Sequence, residues 1–215
     1  MTVSSTAAAT LRRFFPAVAF VLLSVGGASP AAADKGQDAV TFINDFGHKA
    51  ISELTEPNLS DDELYKRFRT LFEQGFDVSY IAKSALGRFW QRANDKERAD
   101  YVAAFENYMV KVYAAKFKAY SGESFKASTS QAAADGVNVT STVIKPDGPE
   151  TKIDWLVADD SGAPKIRDIK IEGVSMVSSY RDEFANEILQ HDGKLAGLID
   201  ALREKTAHIG TEDNG

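Results

Sequence analysis

Apolar residues along this chain change their spacing three times. The first block is a continuous run, Phe14 to Val25 (FFPAVAFVLLSV). Arg12 and Arg13 precede it, and small residues ending in Ala31-Ala32-Ala33 follow it before Asp34. A basic start, a short apolar stretch and an Ala-x-Ala site describe a secretory signal peptide, so residues 1–33 read as a leader. The run is shorter than the ~20 residues a membrane span requires, and Pro16 opposes a spanning helix. No cysteine follows, so a lipoprotein anchor is excluded. No later segment is apolar for long enough to span a membrane.

The second block repeats every three or four residues, the period of an amphipathic helix. Val40, Ile43, Phe46, Ala50, Ile51 and Leu54 predict a helix over 38–54, broken at Glu56-Pro57-Asn58. Ser60 with Glu63 forms a capping-box pattern, and it opens a helix carrying Leu64, Phe68, Leu71 and Phe72 that ends near Gly75. Asp77 can cap a short helix that closes at Gly87. Asn94 with Glu97 repeats the capping box and opens the longest helix, about 95–120, roughly 39 Å at 1.5 Å per residue. Its stripe is aromatic: Tyr101, Phe105, Tyr108, Met109, Val112, Tyr113, Phe117 and Tyr120.

After Ser121-Gly122 the period falls to two, and residues 125–131, 137–144, 151–157 and 165–176 read as strands. Asp135-Gly136, Pro146-Asp147-Gly148 and Asp159-Asp160-Ser161-Gly162 mark short turns, so the strands form an antiparallel meander. Val137, Val139, Val143, Ile153, Trp155, Val157, Ile169 and Ile171 share a dry face; Asn138, Thr140, Thr142, Lys152, Asp154 and Lys170 share a wet one. Helices return over 178–189 and 195–205, with a tail at 206–215. Helices, then strands, then helices give an α+β fold in a single domain over 34–205, with helices on one face of a four-stranded antiparallel sheet.

Charge and composition narrow the chemistry. The formal net charge is −6; removing the leader takes away two bases and no acids, giving −8. That argues against nucleic acid as a partner. The absence of cysteine excludes disulfides, thiol catalysis and Cys-based metal sites. His48, His191 and His208 lack metal-ligand spacing, so no metal or cofactor is expected. Gly173-Val174-Ser175-Met176-Val177 begins like a nucleophile elbow, but Val177 stands where the second glycine belongs. No P-loop or GxGxxG occurs. Dry helix and sheet faces remain, and periodicity is the same whether they fill a core or line a cavity.

Several segments in order carry a resemblance. They are Phe76-Asp77-Val78, Ile81-Ala82-Lys83, Ala85-Leu86-Gly87-Arg88-Phe89-Trp90, Asn94-Asp95-Lys96-Glu97-Arg98, Ile166-Arg167-Asp168-Ile169-Lys170-Ile171-Glu172-Gly173-Val174-Ser175 and Tyr180-Arg181-Asp182-Glu183-Phe184. Across about residues 38–205 the chain resembles the MlaC family, the toluene-tolerance auxiliary components of ABC transporters. The resemblance implies a monomeric, non-catalytic periplasmic carrier. It would shuttle phospholipid between an outer-membrane lipoprotein complex and an inner-membrane ABC transporter complex, maintaining outer-membrane lipid asymmetry. A branch of the family is tied to hopanoid-type lipid. It also implies that helices and a curved sheet enclose an apolar cavity. The lining would then come from inward positions: Phe76, Tyr80, Ile81, Leu86, Phe105, Met109, Val112, Tyr113, Val139, Val143, Trp155, Ile171 and Met176. Arg167, Lys170 and Arg181 are candidates for a lipid headgroup or a partner surface. A carboxylate-based hydrolase or isomerase would instead need an acid inside the cavity, and the inward strand positions hold none. A protein adaptor would need a filled core and an exposed apolar patch.

Overall fold

The computed structural model describes residues 30–209 apart from positions 119, 121, 147 and 161, with side chains from Asp34 onward. The leader lies outside the described residues except for its last four positions, which open the first helix. That helix, α1 (Pro30–Leu54), starts earlier than the apolar spacing predicts; proline suits a first helical turn because its missing N–H is not needed there.

The next helix, α2 (Asp61–Gly75), is capped by Ser60, whose hydroxyl accepts from the Glu63 N–H. The reciprocal half of the expected capping box is replaced: the Glu63 carboxylate takes the Arg67 Nε at 3.1 Å. Asp77 caps α3 (Val78–Leu86) through the Tyr80 N–H. Gly87 ends that helix with a φ of +56°, beside the Arg181 side chain. After a short 3₁₀ turn, the full Asn94–Glu97 capping box opens α4 (Asp95–Phe117).

Four long strands follow: β1 (Ser124–Ala133), β2 (Gly136–Ile144), β3 (Glu150–Ala158) and β4 (Lys165–Ile171). The expected fourth strand over 165–176 is in fact a tight hairpin. Glu172 and Gly173 have φ of +49° and +82°, and β5 (Val174–Ser175) turns back on β4. Two positive-φ residues are what a two-residue hairpin turn requires, and Glu-Gly is a weaker turn signal than Asn-Gly. Glu172 is held there by β3: its N–H donates to the Lys152 carbonyl and its carboxylate accepts from the Lys152 N–H. The sheet thus has five strands in sequential order, all antiparallel.

The chain ends in α5 (Met176–Gln190), capped by Ser175, and α6 (Leu195–His208), which continues into the stretch read as tail. Among the described residues no helix is long and apolar enough to cross a membrane.

The register sorts the two sheet faces as the alternation predicts. Val139, Trp155 and Ile169 align across three strands on the inner face, and Thr140, Asp154 and Lys170 align on the outer one. Ser141, between Val139 and Val143, is a polar residue that the alternation turns inward. It is fully buried, and its hydroxyl accepts the Trp155 indole N–H at 2.7 Å. Register slips at Ala127/Thr129 and Leu156/Val157 bend the sheet.

Three apolar clusters hold the fold. One is helical, built by α3 to α6 around Tyr101, Phe105, Phe184 and Leu198. A second joins α1 to the sheet through Ile43, Val139, Val157 and Ile166. A third joins the ends of α1, α2 and α4 through Leu54, Leu64 and Ala114. Where the three should meet, the bent sheet stands away from the helices.

Candidate ligand cavity

A void opens between the inner sheet face and α1, α2, α3, α4 and α5. Its volume is about 360 Å³. Its walls are almost wholly apolar. Helix α1 supplies Phe46, Gly47, Ala50, Ile51 and Leu54, and α2 supplies Phe68, Leu71 and Phe72. Met109, Tyr113 and Phe117 come from α4, and Phe125, Val143, Ile153, Trp155, Ile169 and Ile171 from the sheet. Glycine at 47 lets α1 approach β1: a Cβ there would lie 2.5 Å from Phe125 Cε1.

Three phenols stand in this apolar wall: Tyr120, which donates to the Glu123 carbonyl at 2.8 Å, and a pair that meets across it. Tyr113 and Tyr180 hydroxyls lie 3.1 Å apart, and Tyr113 Oη is 3.7 Å from Met176 Sδ. Tyr180 donating to Tyr113, and Tyr113 to the sulfur, satisfies both protons. Burial pushes both phenols above their usual pKa, so each stays neutral and keeps its proton at ordinary pH.

Asp168 also reaches the wall, although the inward strand positions contain no acid. By register it pairs with Leu156 and alternates with inward-facing Ile169, and its carboxylate reaches the void where it meets the start of α5. Its carboxylate is fully engaged: Oδ1 accepts from the Ile169 and Val177 N–H groups at 2.9 and 3.1 Å, and Oδ2 from the Ser175 hydroxyl at 2.6 Å. It braces the first turn of α5, where the helix dipole favours an anion. Glu123 and Lys145 line the void at the strand ends. Among the described residues no group of three or more ligating side chains could hold a metal.

A family model for the MlaC protein matches residues 45–204. The chain belongs to the MlaC family. A solved structure of similar fold is the phospholipid-binding protein of Ralstonia solanacearum, in complex with a phospholipid at 1.53 Å resolution. The TM-score is 0.67 at 23% identity, covering 80% of this chain and 98% of that one.

Within this MlaC fold, Phe76, Ile81, Met109, Tyr113, Val143, Trp155, Ile171 and Met176 stand on the cavity wall. The other expected lining positions do not. Leu86 and Phe105 are spent in the helical core, and Val139 is fully buried between α1 and the sheet. Val112 is half-buried on a face of α4 that does not line the void, and Tyr80 lies beneath the Arg167 guanidinium, 4.4 Å from ring centre to Cζ.

None of the three expected headgroup cations lines the cavity. Arg167 is claimed by Asp77, at 3.0 Å, and by Asp160. Lys170 sits on the wet sheet face in register with Asp154, and Arg181 Nε donates to the Ser84 carbonyl at 2.8 Å. The cation at the wall is Lys145, two residues beyond inward-facing Val143; Glu123 likewise stands two before inward-facing Phe125. Continuing the strand alternation past the strand ends would have found both.

Proposed function

We propose that this protein is a non-catalytic lipid carrier whose cargo is phospholipid. The observation that carries the reading is a large void walled by aromatic and aliphatic side chains in a chain of the MlaC family. A diacyl lipid presents about 30 methylenes to water, and burying each is worth about 0.8 kcal/mol. Such a cavity needs a mouth and no nucleophile. The full engagement of the Asp168 carboxylate by three donors supports a brace over a catalytic base.

The leader pattern at 1–33 supports export and a periplasmic location. In this reading the protein moves phospholipid between the outer-membrane lipoprotein complex and the inner-membrane ABC transporter of its family. The like-folded Ralstonia solanacearum protein, with its bound phospholipid, supports the cargo class.

The test is organic extraction of freshly purified protein followed by mass spectrometry. Near-stoichiometric glycerophospholipid is expected. Recovery of a hopanoid-type lipid would reassign the cargo. A clean extract, with no uptake from liposomes, would overturn the carrier reading.

A further inference from the structure

A second depression, of about 330 Å³, lies between α2, α4 and α6. Its floor is made by Ala103, Ala104 and Val110, the last two buried. Four cations from three helices stand around it: Lys66 and Arg69 from α2, Lys111 from α4 and Arg203 from α6. No acid is among the residues that line it, although the chain as a whole carries a net charge of −6. Like charges gathered in one concavity repel, and an acidic protein has no compositional reason to assemble them.

Their partners leave the cluster under-neutralised. Glu106 and the Asn107 amide oxygen, the latter at 2.6 Å, fix the two ends of the Arg69 guanidinium from one side. That holds the fork in a set orientation. Among the described residues Arg203 pairs with Asp200, three residues earlier, at 3.4 Å, with Asp100 also within electrostatic reach. Lys111 sits over the Tyr65 ring, 3.7 Å from its centre. Among the described residues neither Lys66 nor Lys111 forms an ion pair. An oriented guanidinium beside ammonium groups over a small-residue floor is suited to tetrahedral oxyanions, the guanidinium donating from the N–H groups that Glu106 and Asn107 leave free and the lysines acting as point charges.

We propose that this depression binds an oxyanion of the phosphate class, at a site separate from the lipid cavity. The anion is either a free phosphate group or the headgroup of a lipid in a membrane surface.

Inorganic phosphate is titrated into purified protein at fixed ionic strength. Binding is followed by calorimetry and by amide NMR shifts at Asn107 and Lys111. Saturable binding is expected, with thermal stabilisation that chloride at the same ionic strength does not reproduce. The double variant Lys66→Gln/Lys111→Gln, both at accessible positions, should keep its fold by circular dichroism and weaken binding about tenfold or more. Arg69→Lys keeps the charge but removes the fork, and should weaken binding as well.

Sedimentation with phosphatidylglycerol vesicles, set against phosphatidylcholine vesicles, separates the sources. Capture that needs Lys66 and Lys111 and is displaced by phosphate assigns the headgroup; phosphate binding without capture assigns the free anion. A non-saturable response, one matched by chloride, or a double variant that binds as wild type would overturn the proposal.

Discussion

Helix α4 carries one aromatic stripe with two fates. In its N-terminal half Tyr101 and Phe105 are wholly buried, with Phe184 of α5 meeting both rings edge-on at 6.2 and 6.1 Å. The Tyr101 hydroxyl finishes the fit by donating to the Ala82 carbonyl at 3.0 Å. In the C-terminal half Met109, Tyr113 and Phe117 border a void. Residue types and spacing match along the whole helix. What differs is the surface opposite: a straight helix bearing another aromatic fills the space, whereas a sheet bent by two register slips stands away. An apolar face becomes a core or a cavity according to the curvature of its partner.

The largest expected effect probes that contrast directly. Phe105→Ala empties a filled site and should cost about 3–5 kcal/mol in urea unfolding. Phe117→Ala only widens a space already present and should cost less than half as much. Equal losses would mean that the two halves are packed alike.

The sheet offers the same contrast between two inward positions four residues apart. Val139→Trp overpacks a fully buried position and should destabilise by about 1–3 kcal/mol, whereas Val143→Trp should fold normally and lose lipid loading. Loading and melting temperature, measured on both variants, read the difference. A Val143→Trp protein that carries as much lipid as wild type would remove the ligand from this cavity.

Alkaline titration reaches both halves at once. Tyr101, Tyr113 and Tyr180 all have pKa values raised by burial. Their protonated forms therefore favour the native state. That stability is complete below the ordinary phenol value near 10 and is lost as pH climbs above it. Each such tyrosine should contribute up to about 1.4 kcal/mol per pH unit above 10. Tyr101→Phe should flatten the decline in protein with or without lipid. A change in the Tyr180→Phe profile only after lipid removal would place its phenol in contact with cargo.

The smallest effect belongs to Tyr113→Phe, which removes the proton shared with Met176 and the contact with Tyr180. About 0.5–1.5 kcal/mol is the usual worth of such a bond. A shift in bound acyl composition with little change in stability would assign the hydroxyl to cargo selection.

Much of this organisation was legible from residue spacing. Caps at Ser60, Asp77 and Asn94 mark helix starts because their side chains have one local task, and the strand faces follow from strict alternation. The misses share a cause. Phe105 and Val139 satisfy the same pattern as Met109 and Val143, and periodicity does not encode what stands across the gap. Arg167 looked available because its partners, Asp77 and Asp160, come from a distant cap and a turn. The β4–β5 hairpin hid because Glu172 takes a positive φ under the grip of Lys152 on the neighbouring strand, a constraint that local sequence does not carry.

Helix α1 keeps pace with β1. Gly36 lies beside Ser130, Asn44 beside Ala127 and Gly47 beside Phe125. Eleven helical residues rise about 16 Å, and five extended ones about the same. Between these ends the Asn44 amide both donates to and accepts from the Ala127 backbone, at 3.0 and 2.9 Å, as a neighbouring strand would. At the far side of the sheet β5 is only two residues long. A sheet left with free edges recruits further strands and aggregates. Here a side chain imitating backbone covers the β1 edge at Ala127, and the far strand is nearly too short to copy. Both edges are thereby shortened as templates for other chains, while the inner face borders the void.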